Sequence, residues 1–92
     1  MGLKFEWDRR KAAANLKKHG VSFEEAATAF GDPLSLTIHD PDHSDDEDRF
    51  LLLGETQNKM LVVVAHTDRN DTIRIINARL ADRGEREGYE KG

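Results

Sequence analysis

The stretch that decides the fold runs from Arg49 to Ala78 and reads RFLLLGETQNKMLVVVAHTDRNDTIRIINA. Apolar residues dominate 49–55 and 59–67, and the polar turn between these two runs is typical of a hairpin. A second polar turn at 68–71 leads into a third apolar run over 72–78. Because the apolar residues are consecutive at the start of the middle run, that run is predicted to form a central strand covered on both faces.

Two helices are predicted on the N-terminal side of this stretch. Asp8 is a suitable N-cap for the first helix, because its carboxylate can accept hydrogen bonds from the free amides of a first helical turn. This helix is expected over Arg9–His19, with Ala12 and Leu16 facing inward. Ser22-Phe23-Glu24-Glu25 has the pattern of a capping box and predicts the start of the second helix.

The remaining elements follow from periodicity and charge. Apolar side chains alternate with polar ones over 3–7 and 34–39, which predicts two further strands. The tail, 79–91, has the charge pattern of a helix. Its two internal glycines destabilise that helix, so it is expected to be ordered only when it packs against the body or a partner. The order strand, two helices, four strands and short helix predicts one α+β domain over 1–92. In it, both N-terminal helices pack on one face of an antiparallel sheet.

Composition narrows the class of protein. The chain has 92 residues, which suffices for one modest core, and it has no cysteine, which excludes disulfides and thiolate metal sites. Charges interrupt the first residues where a signal peptide needs an apolar run, and no apolar run reaches the ~20 residues of a membrane span. We therefore expect a cytoplasmic protein without a membrane association.

The distribution of charge matters more than its total. The formal net charge is −4. The segment from His39 to Asp48 holds six of the 18 acidic residues and none of the 14 lysines and arginines, so the rest of the chain carries two more bases than acids. A mildly basic body with an acidic loop is compatible with an RNA partner.

The acidic loop does not have the spacing of a metal site. Counted from Asp40, the sixth position is Asp45 where a calcium loop has glycine, and the twelfth is Leu51 where it has glutamate. His39 and His43 lack further partners at zinc-ligand spacing. No cofactor or metal is expected, and glycine-rich phosphate loops and serine nucleophile elbows do not occur in the sequence.

Three blocks of sequence point together to one family. They are Phe5-Glu6-Trp7-Asp8, Lys11, Asn15, Lys18-His19-Gly20-Val21 and Phe23; then Phe30-Gly31-Asp32-Pro33, His43-Ser44, Glu47-Asp48-Arg49-Phe50 and Gly54; and finally Arg74-Ile75-Ile76, Ala78-Arg79, Glu87 and Tyr89. Each block alone is short. In this order, over nearly the whole chain, they resemble the BrnT family of ribonuclease toxins from type II toxin–antitoxin systems.

The resemblance implies a RelE-like fold and an endoribonuclease that cleaves RNA without a metal and inhibits translation. It also implies neutralisation by a BrnA-type antitoxin with a ribbon-helix-helix DNA-binding domain. Such a complex contacts operator DNA only through the antitoxin, and the expected assembly is a heterotetramer. We expect the antitoxin to cover Arg74 and Arg79.

Other readings of the sequence stay open. Asn77 stands where the family usually has serine and Leu80 where a basic residue is common. These departures allow a catalytically decayed protein that acts only as the antitoxin's partner in an operon-repressing complex. A third possibility is a metal-dependent hydrolase that uses the acidic loop.

Cleavage by the ribose 2′-hydroxyl calls for groups that bind the phosphate and groups that move protons. Arg49, Arg74 and Arg79 lie on or beside predicted strands and are the candidates for the phosphate charge, since a guanidinium is planar and permanently cationic. The alternative for Arg74 is a solvated strand arginine that pairs with a neighbouring acid, and the alternative for Arg79 is a structural salt bridge. The acid–base candidates are His19, which can also cap the end of its helix, and Glu47.

Five further residues are candidates for binding the substrate. They are Lys18, His66, Arg83, Arg86 and Tyr89. His66 is alternatively a half-buried strand residue, and Arg83 and Arg86 alternatively form a solvated helix face. Tyr89 either stacks on a base or attaches the tail helix to the body.

Overall fold

A computed structural model describes residues 2–40 and 48–92 of the chain. The predicted order of elements is observed. The elements are β1 (Lys4–Glu6), α1 (Arg9–His19), α2 (Phe23–Thr28) with a 3-10 turn (Ala29–Gly31), β2 (Leu36–His39), β3 (Phe50–Glu55), β4 (Leu61–Arg69), β5 (Thr72–Leu80) and α3 (Arg83–Lys91). None of the helices in the described ranges is long and apolar enough to cross a membrane.

The five strands form one sheet in the order β1-β5-β4-β3-β2. The central position predicted for β4 is confirmed. The prediction of an antiparallel sheet is wrong at one edge, where β1 runs parallel to β5, so the sheet is mixed. The period-two pattern of β1 indicates a strand but not its neighbour. The long connection between β1 and β5 permits the parallel direction, which a short hairpin would not.

The two faces of the sheet differ in what covers them. On β4, Val62, Val64 and His66 point to the face that packs against the residues after α1 and in α2, which we call the core face. The core consists of Val21, Phe23, Ala26, Ala29, Leu52, Val62, Val64, Ile75 and Ala78. Because side chains alternate along a strand, Val63 and Thr67 point to the other face. We call it the open face, although Val63 and Thr67 themselves are buried there.

A β-bulge interrupts the pairing of β4 with β5. Ala65 pairs with Asn77 while the next residue, His66, pairs with Ile75, which leaves Ile76 as an extra residue on β5. The bulge explains why Ile75 and Ala78, three positions apart, both face the core.

The inward face of α1 is polar at its centre, contrary to the prediction that Leu16 faces inward. Leu16 is 50% exposed, whereas Asn15 is 6% exposed. The Asn15 Nδ2 donates to the carbonyl oxygens of Val21 (2.9 Å) and Ala78 (2.8 Å), and its Oδ1 accepts from the Ala78 amide (3.1 Å) and from Asn77 (3.2 Å). Asn15 therefore pairs with the edge of β5 beyond the end of the short strand β1.

Helix α3 begins later than predicted and is held by polar contacts. Strand β5 continues through Leu80, and the helix starts after Asp82, which forms a full capping box with Glu85. No residue of α3 is buried. Its inner side consists of Glu85 and Tyr89, one helical turn apart, which bond to Arg79 and to Asp32 respectively.

His66 is part of the core. It is 4% exposed and lies against the rings of Phe30 and Phe50, with centroids 4.8 and 5.9 Å away. Its Nδ1 lies 3.1 Å from the carbonyl oxygen of Val64, a distance at which an Nδ1–H donates. Burial lowers the pKa of His66 below its ordinary value, and the Val64 carbonyl and Asp68 offset only part of this effect.

This environment predicts a loss of stability in mild acid. Between the lowered pKa of the folded state and about 6.5, the unfolded chain binds a proton at His66 that the folded chain resists. The free energy of unfolding therefore falls as the pH drops through this window, by at most about 1.4 kcal/mol per pH unit. Urea unfolding between about pH 5 and 7.5 measures the slope. His66→Gln should flatten it, and an unchanged slope in that variant would show that another group is responsible.

Candidate active site

The register of the sheet places four residues in one line across the open face. Strand pairing places Thr67 of β4 beside Arg74 of β5, and Arg74 beside Glu6 of β1. The last β3–β4 pair is Phe50 with His66, and continuing this register by one residue places Arg49 next to Thr67, which extends the line. We call Arg49, Thr67, Arg74 and Glu6 the arginine row.

The register at Arg49 is supported by a bond to β2. The amide of Asp40 donates to the carbonyl oxygen of Arg49 over 2.8 Å, one step beyond the pairing of His39 with Phe50. Since Phe50 contacts His66 on the core face, Arg49 is directed to the open face. Arg74 lies on the open face as well, because Ile75 on its C-terminal side is in the core.

The charges at the β1 end of the row are close together. Arg74 Nη1 lies 2.9 Å from Glu6 Oε2, and Arg69 Nη1 lies 3.9 Å from the same oxygen. The Arg74 side chain is 29% exposed, so this ion pair is accessible to a ligand. The pKa of Asp8 is lowered, first by hydrogen bonds from the Lys11 and Arg10 amides and further by the charges of Lys11 and Arg74. A phosphate entering here would exchange one anionic partner of Arg74 for another.

Arg79 belongs to a different part of the open face. It pairs with Val63, four residues from Thr67 along β4, or about 13 Å. Both of its terminal nitrogens contact the Glu85 carboxylate at 2.8 Å. This two-point bond raises the pKa of Arg79 and lowers the pKa of Glu85. The contact supports the alternative of a structural salt bridge, which attaches α3 to β5.

The other candidates on α3 are also directed away from the row. Arg83 pairs with Glu87 one turn along the helix at 3.6 Å with 94% of its side chain exposed, and Arg86 is exposed. The Tyr89 hydroxyl donates to Asp32 Oδ2 over 2.6 Å, which raises the pKa of Tyr89 to about 12. Tyr89 thus attaches the tail helix to the body.

Lys18 and His19 lie in a groove between α1 and β5. Its lining also includes Lys11, Ala14, Asn15, Ile76 and Asn77. Lys11 is near Asp8 at the start of α1, whereas His19 is at the other end of the helix, about 16 Å from Asp8. The groove therefore extends from the neighbourhood of Arg74 along α1, but His19 does not reach a phosphate held at the row.

The sequence model for the ribonuclease toxin BrnT of type II toxin–antitoxin systems matches residues 7–85. The chain belongs to the BrnT family. By family it is a toxin of a type II system with ribonuclease activity, which implies an antitoxin partner. No curated protein matches this BrnT-family chain.

The fold agrees with this assignment. The crystal structure of the Brucella abortus ribonuclease toxin BrnT superposes with a TM-score of 0.65 at 21% identity, and the alignment covers 89% of this chain and 100% of that one. At this identity the likeness concerns the fold alone, an α+β arrangement of a five-stranded mixed sheet and three helices.

The BrnT fold brings only some of the predicted site residues together. Arg49 and Arg74 share the arginine row. Lys18 and His19 share the groove, and Arg79, Arg83, Arg86 and Tyr89 are associated with α3. His66 is buried in the core, so its ring does not face a ligand. Glu47 lies outside the described residues.

Sequence reasoning missed three residues at this site: Glu6, Thr67 and Arg69. The polar position of Glu6 in an alternating strand was visible, but its pairing with Arg74 depends on contact between strands 68 residues apart. Within residues 2–40 and 48–92, no three histidine, aspartate or glutamate side chains are grouped to hold a metal ion.

Proposed function

We propose that this BrnT-family toxin is an endoribonuclease that binds the scissile phosphate of RNA at the arginine row. The observation that carries the proposal is that the register of the sheet places two arginines and one glutamate on a single line of the open face. The strands fix the backbone positions from which these side chains reach a phosphate. We also infer that the fold is of the RelE-like kind.

The row supplies what attack by a 2′-hydroxyl needs. Arg74 and Arg49 bind the non-bridging phosphate oxygens and stabilise the charge that increases in the transition state. When the phosphate takes the place of Glu6 at Arg74, the Glu6 carboxylate is free to accept the 2′-hydroxyl proton.

The bond changes follow from that arrangement. The 2′-oxygen bonds to phosphorus as the bond from phosphorus to the 5′-oxygen breaks. Glu47, two residues before Arg49 in the chain, is our candidate for protonating the leaving oxygen. The products are a 2′,3′-cyclic phosphate and a 5′-hydroxyl. In this proposal Lys18 and His19 contact neighbouring phosphates of the strand. Lys11, which lines the same groove, and Arg74 of the row both lie close enough to Asp8 to lower its pKa, so the groove begins near the row.

The antitoxin partner is proposed to be of the BrnA type. The complex would bind operator DNA through the antitoxin's ribbon-helix-helix domain. A partner segment with acidic groups suits the open face, because Arg74 and Arg79 are both partly exposed there. We propose that it covers both arginines in a heterotetramer. In the free toxin, cleavage of cytoplasmic messenger RNA would inhibit translation.

The experiment is cleavage of an end-labelled RNA by the purified chain in the presence of a chelator. The proposal expects fragments with 2′,3′-cyclic phosphate ends, and cleavage that stops when the antitoxin is added. Cleavage that depends on added divalent cations would favour the metal-dependent hydrolase. Absence of cleavage by folded protein that still binds the antitoxin would favour the catalytically decayed partner.

A further inference from the structure

Thr67 carries a buried hydroxyl group for which residues 2–40 and 48–92 offer no hydrogen-bond partner. The residue is 1% exposed, and among the described residues its Oγ1 finds no hydrogen bond donor or acceptor. Buried hydroxyl groups are nearly always hydrogen-bonded, because an unpaired one loses its contacts with water without compensation. Stability therefore does not explain why a threonine occupies this buried position.

The position of Thr67 offers such a reason. It lies on the central strand β4 and pairs with Arg74 on β5, and the β3–β4 register continued by one residue places Arg49 on its other side. Cross-strand neighbours on one face have their side chains within about 5 Å of each other. Thr67 thus occupies the place in the sheet register between Arg49 and Arg74, where an anion that both arginines bind would lie.

We propose that the Thr67 hydroxyl donates a hydrogen bond to a non-bridging oxygen of the RNA phosphate held in the row. This inference rests on the function proposed above and adds a residue to it. The hydroxyl is shielded from solvent in the free protein, and its neighbours in the row are long, flexible arginine side chains. Their movement toward a phosphate opens the position, and the bond that Thr67 lacks is then formed.

The test compares Thr67→Val with Thr67→Ser. Valine keeps the shape and removes the hydroxyl, whereas serine keeps the hydroxyl. Because the hydroxyl loses no hydrogen bond to any described residue, Thr67→Val is expected to unfold at the same denaturant concentration as wild type or a higher one. Its cleavage rate is expected to fall about 10- to 100-fold, while Thr67→Ser stays within about threefold of wild type.

Two results would overturn the inference. One is a Thr67→Val protein that cleaves RNA at the wild-type rate. The other is a marked loss of stability in Thr67→Val, which would mean that the hydroxyl already has a partner in the folded protein. Arg74→Ala, measured in parallel, separates the two proposals. If Arg74→Ala is impaired and Thr67→Val is not, only the role of Thr67 is lost; if both cleave normally, the proposed site itself is wrong.

Discussion

Replacing Arg74 with alanine is expected to lower the rate of RNA cleavage by about 100- to 1,000-fold. Its guanidinium is the group that our account places on the phosphate, in a partly buried position where a charge interaction is stronger than in water. Arg74→Lys retains the charge but loses the planar two-point contact, so an intermediate rate is expected. Single-turnover cleavage of a labelled RNA measures all three proteins.

Lys91→Ala is the control for this prediction. It removes one positive charge from the exposed end of α3, and its rate is expected to equal that of wild type. Unfolding curves must show that Arg74→Ala is folded, because the ion pair with Glu6 joins β5 to β1. If a folded Arg74→Ala protein cleaved RNA at the wild-type rate, the arginine row would not be the active site.

Replacing Asn15 with alanine is expected to lower the free energy of unfolding by about 3 kcal/mol. The substitution leaves the amide and carbonyl of Ala78 and the carbonyl of Val21 without their partner, in a region where water is largely excluded. For a chain of this size the midpoint of thermal unfolding should fall by roughly 15 °C.

Asn77→Ala provides the comparison. It removes the single 3.2 Å bond from Asn77 to the Asn15 Oδ1, which still accepts from the Ala78 amide. We expect a loss of at most about 1 kcal/mol, because no backbone group is left unpaired. Equal stability losses in the two variants would contradict the view that Asn15 completes the edge of β5.

Features set by neighbouring residues were predictable from the sequence. Helix α1 has its predicted ends because its caps act locally: the Asp8 carboxylate accepts from the first amides, and Gly20 adopts the left-handed conformation with φ of 72°. The start of α3 is marked in the same local way by the Asp82–Glu85 capping box, but a prediction from the charge pattern alone does not detect it.

Features set by distant pairing were not predictable. The direction of β1 and the bulge at Ile76 depend on which strands meet and in what register. The spacing of apolar residues in α1 predicted that Leu16 faces inward. Asn15 is buried instead, because it bonds to backbone groups at the edge of β5 that no strand pairs with. Hydrophobic periodicity does not report such an edge.

The candidate site shows the same division. The face on which Arg74 lies followed from its isoleucine neighbours in the chain. Its association with Arg49 and Glu6 required the register of four strands, and His66 turned inward because its place in β4 puts it on the core face against Phe30. A list of candidate residues was therefore available from the sequence, but their grouping was not.

The most direct test of the account is an NMR titration with a short RNA whose riboses are 2′-O-methylated, so that it binds without being cleaved. The account predicts that amide shifts concentrate at 66–68 and 73–75 and at Glu6, with weaker changes along the α1 groove. They should largely disappear in Arg74→Ala. Shifts confined to the α1 groove or to α3, and unchanged by Arg74→Ala, would contradict an active site at the arginine row.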